Sequence, residues 1–291
     1  MLSAAKFEKT FQYMTLFWQG VACTVSLSAL TVLFGFVLAL LLTMARLSDL
    51  NVYRFLSTQS QRTLRAKGGF AFALSRFNPV KFLASAYVEV FRATPMLVQL
   101  FIIYYVIFAD VKILPGFKLF GFIRFDRFFP GVVALALNSG AYLSEIIRSG
   151  IQSIDGGQSE AARSLGMSQL QNLRFIVLPQ AIKNILPAIA NEFVTIIKES
   201  AICYTIGVQD IMSAVAAVRG ATFAVAEPLV IATALYFCLT FPTSKVIAHF
   251  EKKMSAGDHR SGSTRERKRK LGFAGAGAQP VPMVSSEEDT Q

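Results

Sequence analysis

Four long stretches without any charged residue constrain this chain more than any other feature of its sequence. They cover residues 10–45, 93–109, 128–144 and 228–244. Each is close to, or longer than, the roughly 20 residues that an α-helix needs to cross the hydrocarbon core of a bilayer. A soluble core helix carries polar residues on one face, whereas these segments are apolar all round. The sequence therefore predicts an all-α, multi-pass integral membrane protein.

A fifth span is predicted between the third and the last of these stretches, although Glu192, Lys198 and Glu199 interrupt it. The predicted spans have approximate bounds of 18–45, 82–109, 129–147, 186–208 and 228–250. Together they predict a transmembrane helical bundle over residues 18–250, preceded by a short segment, 1–17.

Basic residues indicate how these spans are oriented. Segment 46–81 carries many Arg and Lys residues against the single acid Asp49, and residues 252–270 are again rich in both. Lys and Arg accumulate on the cytoplasmic side of spanning helices. The N-terminal segment 1–17 is therefore expected outside and the C-terminus in the cytoplasm. The tail, 251–291, has too few apolar residues to bury a core and is predicted to be disordered.

The formal net charge of +11 raises the possibility of nucleic-acid binding. However, the basic residues lie between or after the apolar segments, so membrane orientation explains them and no nucleic-acid partner is expected. The basic run at 265–270 is expected to contact anionic lipid headgroups.

The most informative segment follows the third span. Its fixed residues are Glu160, Ala161, Ala162, Gly166, Ile176, Leu178 and Pro179. The first helix has small alanines that allow close approach by a partner, and Gly166 can adopt the positive φ that ends a helix. A second helix is expected to follow as far as Pro179. The segment therefore predicts two short helices joined at a glycine, for which an ordinary helical hairpin between spans is the alternative.

This spacing resembles the loop of permease subunits of ATP-binding-cassette importers. Their pattern is Glu-Ala-Ala, three residues, Gly, nine residues, Ile, one residue and Leu-Pro, and every fixed position is filled here. The resemblance implies an importer-type permease whose loop 149–183 docks into a groove of a nucleotide-binding ATPase subunit. The fixed residues would then couple ATP binding to movement of the spans.

Segments 87–99 and 138–150 resemble the polar amino acid uptake branch of these permeases, which carries histidine, glutamine, glutamate, arginine or cystine. That branch usually has Gly where Ala93 stands and Lys-Asp-Thr-Ser where residues 198–201 read Lys-Glu-Ser-Ala. The basic loop 47–80 is longer than the usual connection, and its role stays open. The sequence does not decide which amino acid is carried.

Further subunits are implied because the chain contains no phosphate-binding loop of the form G-x-x-x-x-G-K-[ST]. ATP and Mg²⁺ are therefore expected on a partner ATPase, with no cofactor, metal site or catalytic residue on this chain. Five spans make a thin pore wall, so a second permease chain is expected, as a homodimer or a heterodimer. The resemblance adds an extracytoplasmic solute-binding protein.

Polar groups at membrane depth normally face the interior of a bundle, so they are candidates for the substrate path. The candidates are Arg92, Thr94, Pro95, Gln99, Asn138, Ser139, Tyr142, Glu145, Lys198, Glu199 and Ser200. Lys198 and Glu199 could meet the α-carboxylate and α-amino group of a substrate. Pro95 is expected to loosen the second span and leave carbonyls near Phe91 unsatisfied. Pairing of Glu89 with Arg92, or hydrogen bonding between helices, would explain the same residues without substrate.

Three other classes of protein compete with this interpretation. A stand-alone ion-coupled carrier or channel leaves the segment at 160–179 unexplained. A membrane enzyme would need a cluster of acids, bases or metal ligands, yet the two histidines lie near or beyond the last span. A structural scaffold would not need paired charges inside a span.

Overall fold

The computed structural model describes residues 3–48, 77–108 and 116–274, with side chains described as far as residue 253. The predicted long basic loop therefore lies almost wholly outside the described residues. The backbone divides into a helical unit that ends at Ile247 and a second unit that begins at Ala248. Within the second unit, the described residues are helical.

Helices dominate the first unit, and the prediction of an all-α fold is confirmed. In chain order they are α1 (Ala4–Phe11), α2 (Met14–Leu47), α3 (Pro79–Ala93), α4 (Met96–Phe101), α5 (Phe125–Gln152), α6 (Gly156–Ser164), α7 (Gln169–Asn172), α8 (Leu178–Glu199), α9 (Ile211–Thr222) and α10 (Ala226–Ala274). A two-stranded antiparallel ribbon of β1 (Lys118–Leu119) and β2 (Ile123–Arg124) precedes α5.

Four helical segments are long and apolar enough to cross a membrane. They are Met14–Leu47, Phe125–Gln152, Gln169–Ile206 and Ala226–Lys253. A fifth span forms if α3 and the segment Met96–Ile107 are taken together, although their axes differ by 109°. The number of spans and their order along the chain thus agree with the sequence.

The fourth span begins earlier than predicted. The helix that starts at α7 passes through a π-helical turn, Leu173–Val177, and continues directly into α8. Pro179 follows the π-helical turn inside this continuous helix. The prediction that the second helix of the coupling segment stops at Pro179 is therefore wrong, because the helix continues through this proline to Glu199.

The last helix also extends beyond its predicted end. α10 continues to Ala274, whereas disorder is predicted from residue 251. Extending a helix that already exists adds one hydrogen bond per residue without a new nucleation cost, which accounts for the difference. Residues 275–291 lie outside the described part of the chain.

Small residues allow α2 and α5 to pack closely at the centre of the first unit. A Cβ added to Gly140 would lie 2.7 Å from Leu38, and one added to Gly35 would lie 3.3 Å from Ser139. Such small residues are typical of helix interfaces in membranes, where close packing replaces the hydrophobic effect. The apolar core between these helices includes Leu27 and Leu135, both buried.

Gly20→Ala is expected to destabilise the packing of α2 against the start of α9. The added Cβ would lie 2.8 Å from the backbone oxygen of Asp210 and 2.9 Å from the Cα of Ile211, so backbone atoms must move. Overpacking of this kind costs about 1–3 kcal/mol, which should lower the thermal midpoint in detergent.

The matched control is Gly220→Ala, near the end of α9. No atom lies within 4 Å of the added Cβ there. Alanine is a better helix former than glycine by about 0.5–1 kcal/mol, so this variant should be unchanged or slightly more stable. Equal thermal midpoints for Gly20→Ala and wild type would contradict the close approach.

Candidate coupling surface and translocation path

Residues 156–172, which we call the helical hairpin, fold as the sequence dictates. The side chain of Asp155 caps α6 by accepting a hydrogen bond of 3.0 Å from the N–H of Gly157. α6 ends at Gly166, whose φ of 79° is the left-handed conformation that favours glycine. The N–H groups of Gly166 and Met167 then donate to the carbonyls of Arg163 and Ala162. This confirms the turn predicted from Gly166.

The second half of the helical hairpin begins at a capping box. The Ser168 hydroxyl accepts from the N–H of Gln171, and the Gln171 side chain accepts from the N–H of Ser168. A bond of 3.0 Å from Asn172 Nδ2 to Ser159 Oγ joins the two helices. The orientation of α7 relative to α6 is therefore held by side chains as well as by the turn.

The helical hairpin exposes large apolar side chains. Leu165 is 83% exposed, Leu170 73% and Phe175, just beyond α7, 61%. Of the predicted coupling residues, Glu160, Ala161, Gly166, Leu178 and Pro179 are exposed, Ile176 is half-buried and Ala162 is buried. Exposed apolar side chains grouped on one segment are a feature of surfaces that bind other proteins.

The bend of the second span is stabilised by a polar network. Gln99 Nε2 donates to the carbonyls of Phe91 (2.8 Å) and Thr94 (3.0 Å) and to Thr94 Oγ1 (2.7 Å). Asn138 Nδ2, on α5, donates to Gln99 Oε1 (3.0 Å) and to the Phe91 carbonyl (3.3 Å). Backbone carbonyls freed at Pro95 are thus satisfied inside the protein, as a broken helix at membrane depth requires.

An apolar cavity of about 240 Å³ adjoins this bend. Its walls include Phe91, Val98 and Leu137, and Thr94 and Gln99 supply polar atoms at its edge. The bend therefore lies at Pro95, and the residues on either side of Pro95, Thr94 and Val98, line the cavity. The structure brings Thr94, Gln99 and Asn138 together, although Asn138 is distant from them in sequence.

Arg92 does not pair with Glu89, which is one of the alternatives open from the sequence. No ion pair connects them in the described part of the chain, and the Arg92 guanidinium lies over the ring of Tyr142, 5.5 Å from its centre. A cation above an aromatic face is favourable and leaves the outer N–H groups free to donate. Arg92 and Tyr142 therefore form one polar group between α3 and α5.

Glu145 contacts two arginines. Its carboxylate pairs with Arg46 Nη1 on α2 at 2.8 Å and also with Arg148 on its own helix. Glu145 therefore has a structural explanation, as a tie between α2 and α5. Sequence analysis did not identify Arg46 as its partner, because they are 99 residues apart.

The remaining path candidates lie on α5 and at the end of α8. Ser139 is 2% exposed, and Glu192 of α8 lies close to its hydroxyl. Lys198 and Glu199 are exposed, whereas Ser200 is buried and donates to the carbonyl of Ile197 (2.8 Å). Lys198 and Glu199 thus do not form a closed pair, and both remain able to contact another molecule.

The family of the protein follows from a comparison with family models. Residues 68–256 match the model described as "Binding-protein-dependent transport system inner membrane component". The chain belongs to this family. It is thus an inner-membrane permease, and both the coupling segment and the bent second span fall inside the matched range.

Individual relatives of the permease are transport proteins. It is 42% identical over 185 residues to the arginine transport system permease protein ArtQ of Bacillus subtilis (strain 168), covering 64% of this chain and 80% of that protein. It is 35% identical over 251 residues to the putative glutamine transport system permease protein GlnP of Rickettsia conorii, covering 84% and 98%.

A solved structure shares the architecture of the permease. A crystal structure of an amino acid ABC transporter with histidines superposes with a TM-score of 0.70 at 36% identity, covering 87% of this chain and all of the solved chain. The family resemblance inferred from the coupling segment is thereby confirmed.

The permease also has surface residues that motif reasoning did not select. Leu170 falls at an unspecified position of the coupling pattern, yet it is among the most exposed apolar residues of the helical hairpin. An apolar residue between two polar neighbours, Gln169 and Gln171, is the signal that could have identified it.

Proposed function

We propose that this permease forms the path by which a polar amino acid enters the cell, with ATP hydrolysed on a separate subunit. The observation that carries the proposal is the helical hairpin, whose two helices are joined by the bond between Asn172 and Ser159 and which exposes Leu165 and Leu170 beside the motif residues Glu160 and Gly166. The relatives named for arginine and glutamine transport support a polar amino acid as the solute.

The proposed assembly contains more than this chain. The helical hairpin contacts a nucleotide-binding ATPase, which holds ATP and Mg²⁺, and a second permease chain closes the path as a homodimer or a heterodimer. A solute-binding protein delivers the amino acid at the opposite face. In this arrangement the N-terminus is outside and the helical hairpin is cytoplasmic, in agreement with the excess of basic residues in segment 46–81.

The proposed path uses the polar groups that remain able to contact a solute. Arg92, above the Tyr142 ring, has free donors for a carboxylate, and Thr94 lies at the edge of the cavity beside the bend. Glu192 near Ser139 and the exposed pair Lys198 and Glu199 supply charge for an ammonium and a carboxylate. Glu145 is excluded from this role because two arginines already occupy its oxygens.

The proposal is tested by co-purification in mild detergent of the tagged chain with its neighbouring gene products, followed by an ATPase assay. Wild type should retain an ATPase subunit, and reconstituted vesicles should take up labelled arginine or glutamine only with ATP. A chain that transports these solutes alone would instead be an ion-coupled carrier or channel.

Leu165→Ser should weaken retention of the ATPase subunit by at least about tenfold, since it removes an exposed apolar anchor worth about 1.5–3 kcal/mol when buried by a partner. Phe223→Ser is the matched control, because Phe223 is 86% exposed but lies outside the helical hairpin. Equal retention by both variants would place the ATPase contact elsewhere.

A further inference from the structure

The two ends of the helical hairpin are joined to the bundle in different ways. On one side, α7 continues through the π-helical turn into α8, so a displacement of the helical hairpin reaches α8 along a continuous helix. On the other side, residues 153–155 separate α5 from α6, and the backbone at Asp155 is not helical (φ −55°, ψ 126°). The backbone alone therefore connects the helical hairpin firmly to α8 but not to α5.

Close packing joins α5 to α8 beside that break. Gly150, in the last turn of α5, is buried, and a Cβ added to it would overlap Cγ1 of Ile185 and lie 3.0 Å from its Cδ1. Ile185, on α8, is 7% exposed and packs in an apolar cluster with Ile147 of α5 and Ala39 of α2. The missing side chain at position 150 is what allows α8 to approach α5 this closely.

A hydrogen bond between the same two helices lies next to this packing. Asn184 Nδ2 donates to Ser153 Oγ at 3.0 Å, and the Ser153 hydroxyl donates to the carbonyl of Gly150 at 2.8 Å. A side chain of α8 is thus bonded to the residue that ends α5, where backbone carbonyls lack helical partners. We call Gly150, Ser153, Asn184 and Ile185 the α5–α8 contact.

α5 is in turn joined to α2 near the same end of the bundle. Thr43 Oγ1 donates to the carbonyl of Ser144 at 3.2 Å, and Arg46 Nη1 pairs with Glu145 at 2.8 Å. Both bonds lie within about two helical turns of Gly150. A displacement that reaches α5 is therefore passed on to α2.

We propose that the α5–α8 contact makes α5 move together with α8 when the helical hairpin is displaced. The inference rests on the proposed function, since it takes the ATPase subunit as the source of the displacement. Without the contact, the break at residues 153–155 would absorb the movement, and only α8 would follow the helical hairpin. The four residues are positioning residues, because they act through the helices that they join.

An exchange of side-chain size tests the packing between the two helices. Gly150→Ala adds a methyl group that overlaps Ile185, and Ile185→Ala leaves a gap, whereas the double variant moves the missing volume to the opposite helix. In vesicles reconstituted with the partner subunits, uptake of labelled arginine or glutamine per ATP hydrolysed should fall about tenfold in each single variant. In the double variant it should return to within about threefold of wild type.

The matched control for this exchange is Ile182→Ala. Ile182 lies on the same helix but is 45% exposed, so its truncation leaves the α5–α8 contact intact. Its uptake per ATP should equal that of wild type. A double variant that is coupled no better than either single variant overturns the proposal.

A covalent link separates joint movement from a purely structural role. Ser153→Cys and Asn184→Cys are combined with Cys238→Ala, which removes the exposed native thiol, whereas Cys23 and Cys203 are buried. Loss of the hydrogen bond should lower uptake per ATP about threefold. Joining the two new thiols with a short bis-thiosulfonate linker should restore it, and reduction of the linker should lower it again.

Uptake per ATP that stays low or falls further on linking overturns the proposal, since α5 and α8 then have to move relative to each other. This measurement leaves the buried core unchanged, so it decides the question even if Ile185→Ala does not fold. ATP-dependent uptake by wild type in the same preparation keeps this outcome distinct from a failure of the proposed function, in which wild type itself would show none.

Discussion

Gly166→Pro is expected to abolish ATP-driven uptake while leaving the permease in the membrane. Proline fixes φ near −65°, whereas Gly166 has a φ of 79°, and proline also removes the N–H that donates to the Arg163 carbonyl. The chain can then no longer turn from α6 into α7. A misfit of about 3 kcal/mol or more at this turn should lower uptake by about 100-fold. Uptake and ATPase activity in reconstituted vesicles provide the measurement.

The matched control is Gly166→Asn, since asparagine tolerates the left-handed conformation better than other residues with a side chain. No atom lies within 4 Å of a Cβ at this position, so the control tests conformation without steric conflict. Glu160→Lys, in the exposed face of α6, should also uncouple uptake by reversing one charge of the surface. Normal uptake by Gly166→Pro would remove the main support for the helical hairpin as the coupling element.

The helical hairpin was predictable because its determinants are local. Gly166 indicated the turn, and the structure adds the caps at Asp155 and Ser168, each of which bonds within three residues of itself. Local signals of this kind can be read from sequence because the chain itself supplies both partners. The predicted end of the second helix at Pro179 is wrong, because the helix continues through this proline after a π-helical turn.

Polar candidates for the substrate path can be selected from the sequence, but their arrangement in space cannot. Glu145 could not be separated from the other polar candidates, because its partner Arg46 lies 99 residues away. The role of such a residue is set by contacts with residues far away in the sequence, and the periodicity of its own segment gives no information about those contacts.

In the second span, one feature could be predicted from the local sequence and another depends on contacts between distant residues. Pro95 predicts a loosened helix in the second span, with the backbone carbonyl near Phe91 left without a hydrogen-bond donor. The bend of 109° leaves backbone carbonyls without helical N–H donors, so side chains inside the protein must supply those donors. Gln99 and Asn138 supply them, and these two residues are 39 positions apart in the sequence.

Gln99→Met is expected to destabilise the permease strongly and to impair transport with it. Methionine has nearly the same length but cannot donate, so the carbonyl of Thr94 loses its side-chain donor and that of Phe91 keeps only the longer bond from Asn138, at 3.3 Å. Each buried polar group left unsatisfied costs about 1–3 kcal/mol. The thermal midpoint in detergent should fall by about 5 °C or more.

Two further variants separate the polar network from the effect of a new methionine. Leu97→Met, on the same helix and outside the cavity wall, should leave the thermal midpoint unchanged. Thr94→Val should have an intermediate effect, because it removes one acceptor of Gln99 but leaves the bonds to both carbonyls. If all three variants behave alike, the bend is maintained by packing alone, whereas a graded loss shows that hydrogen bonds to the freed carbonyls hold the second span in its bent form.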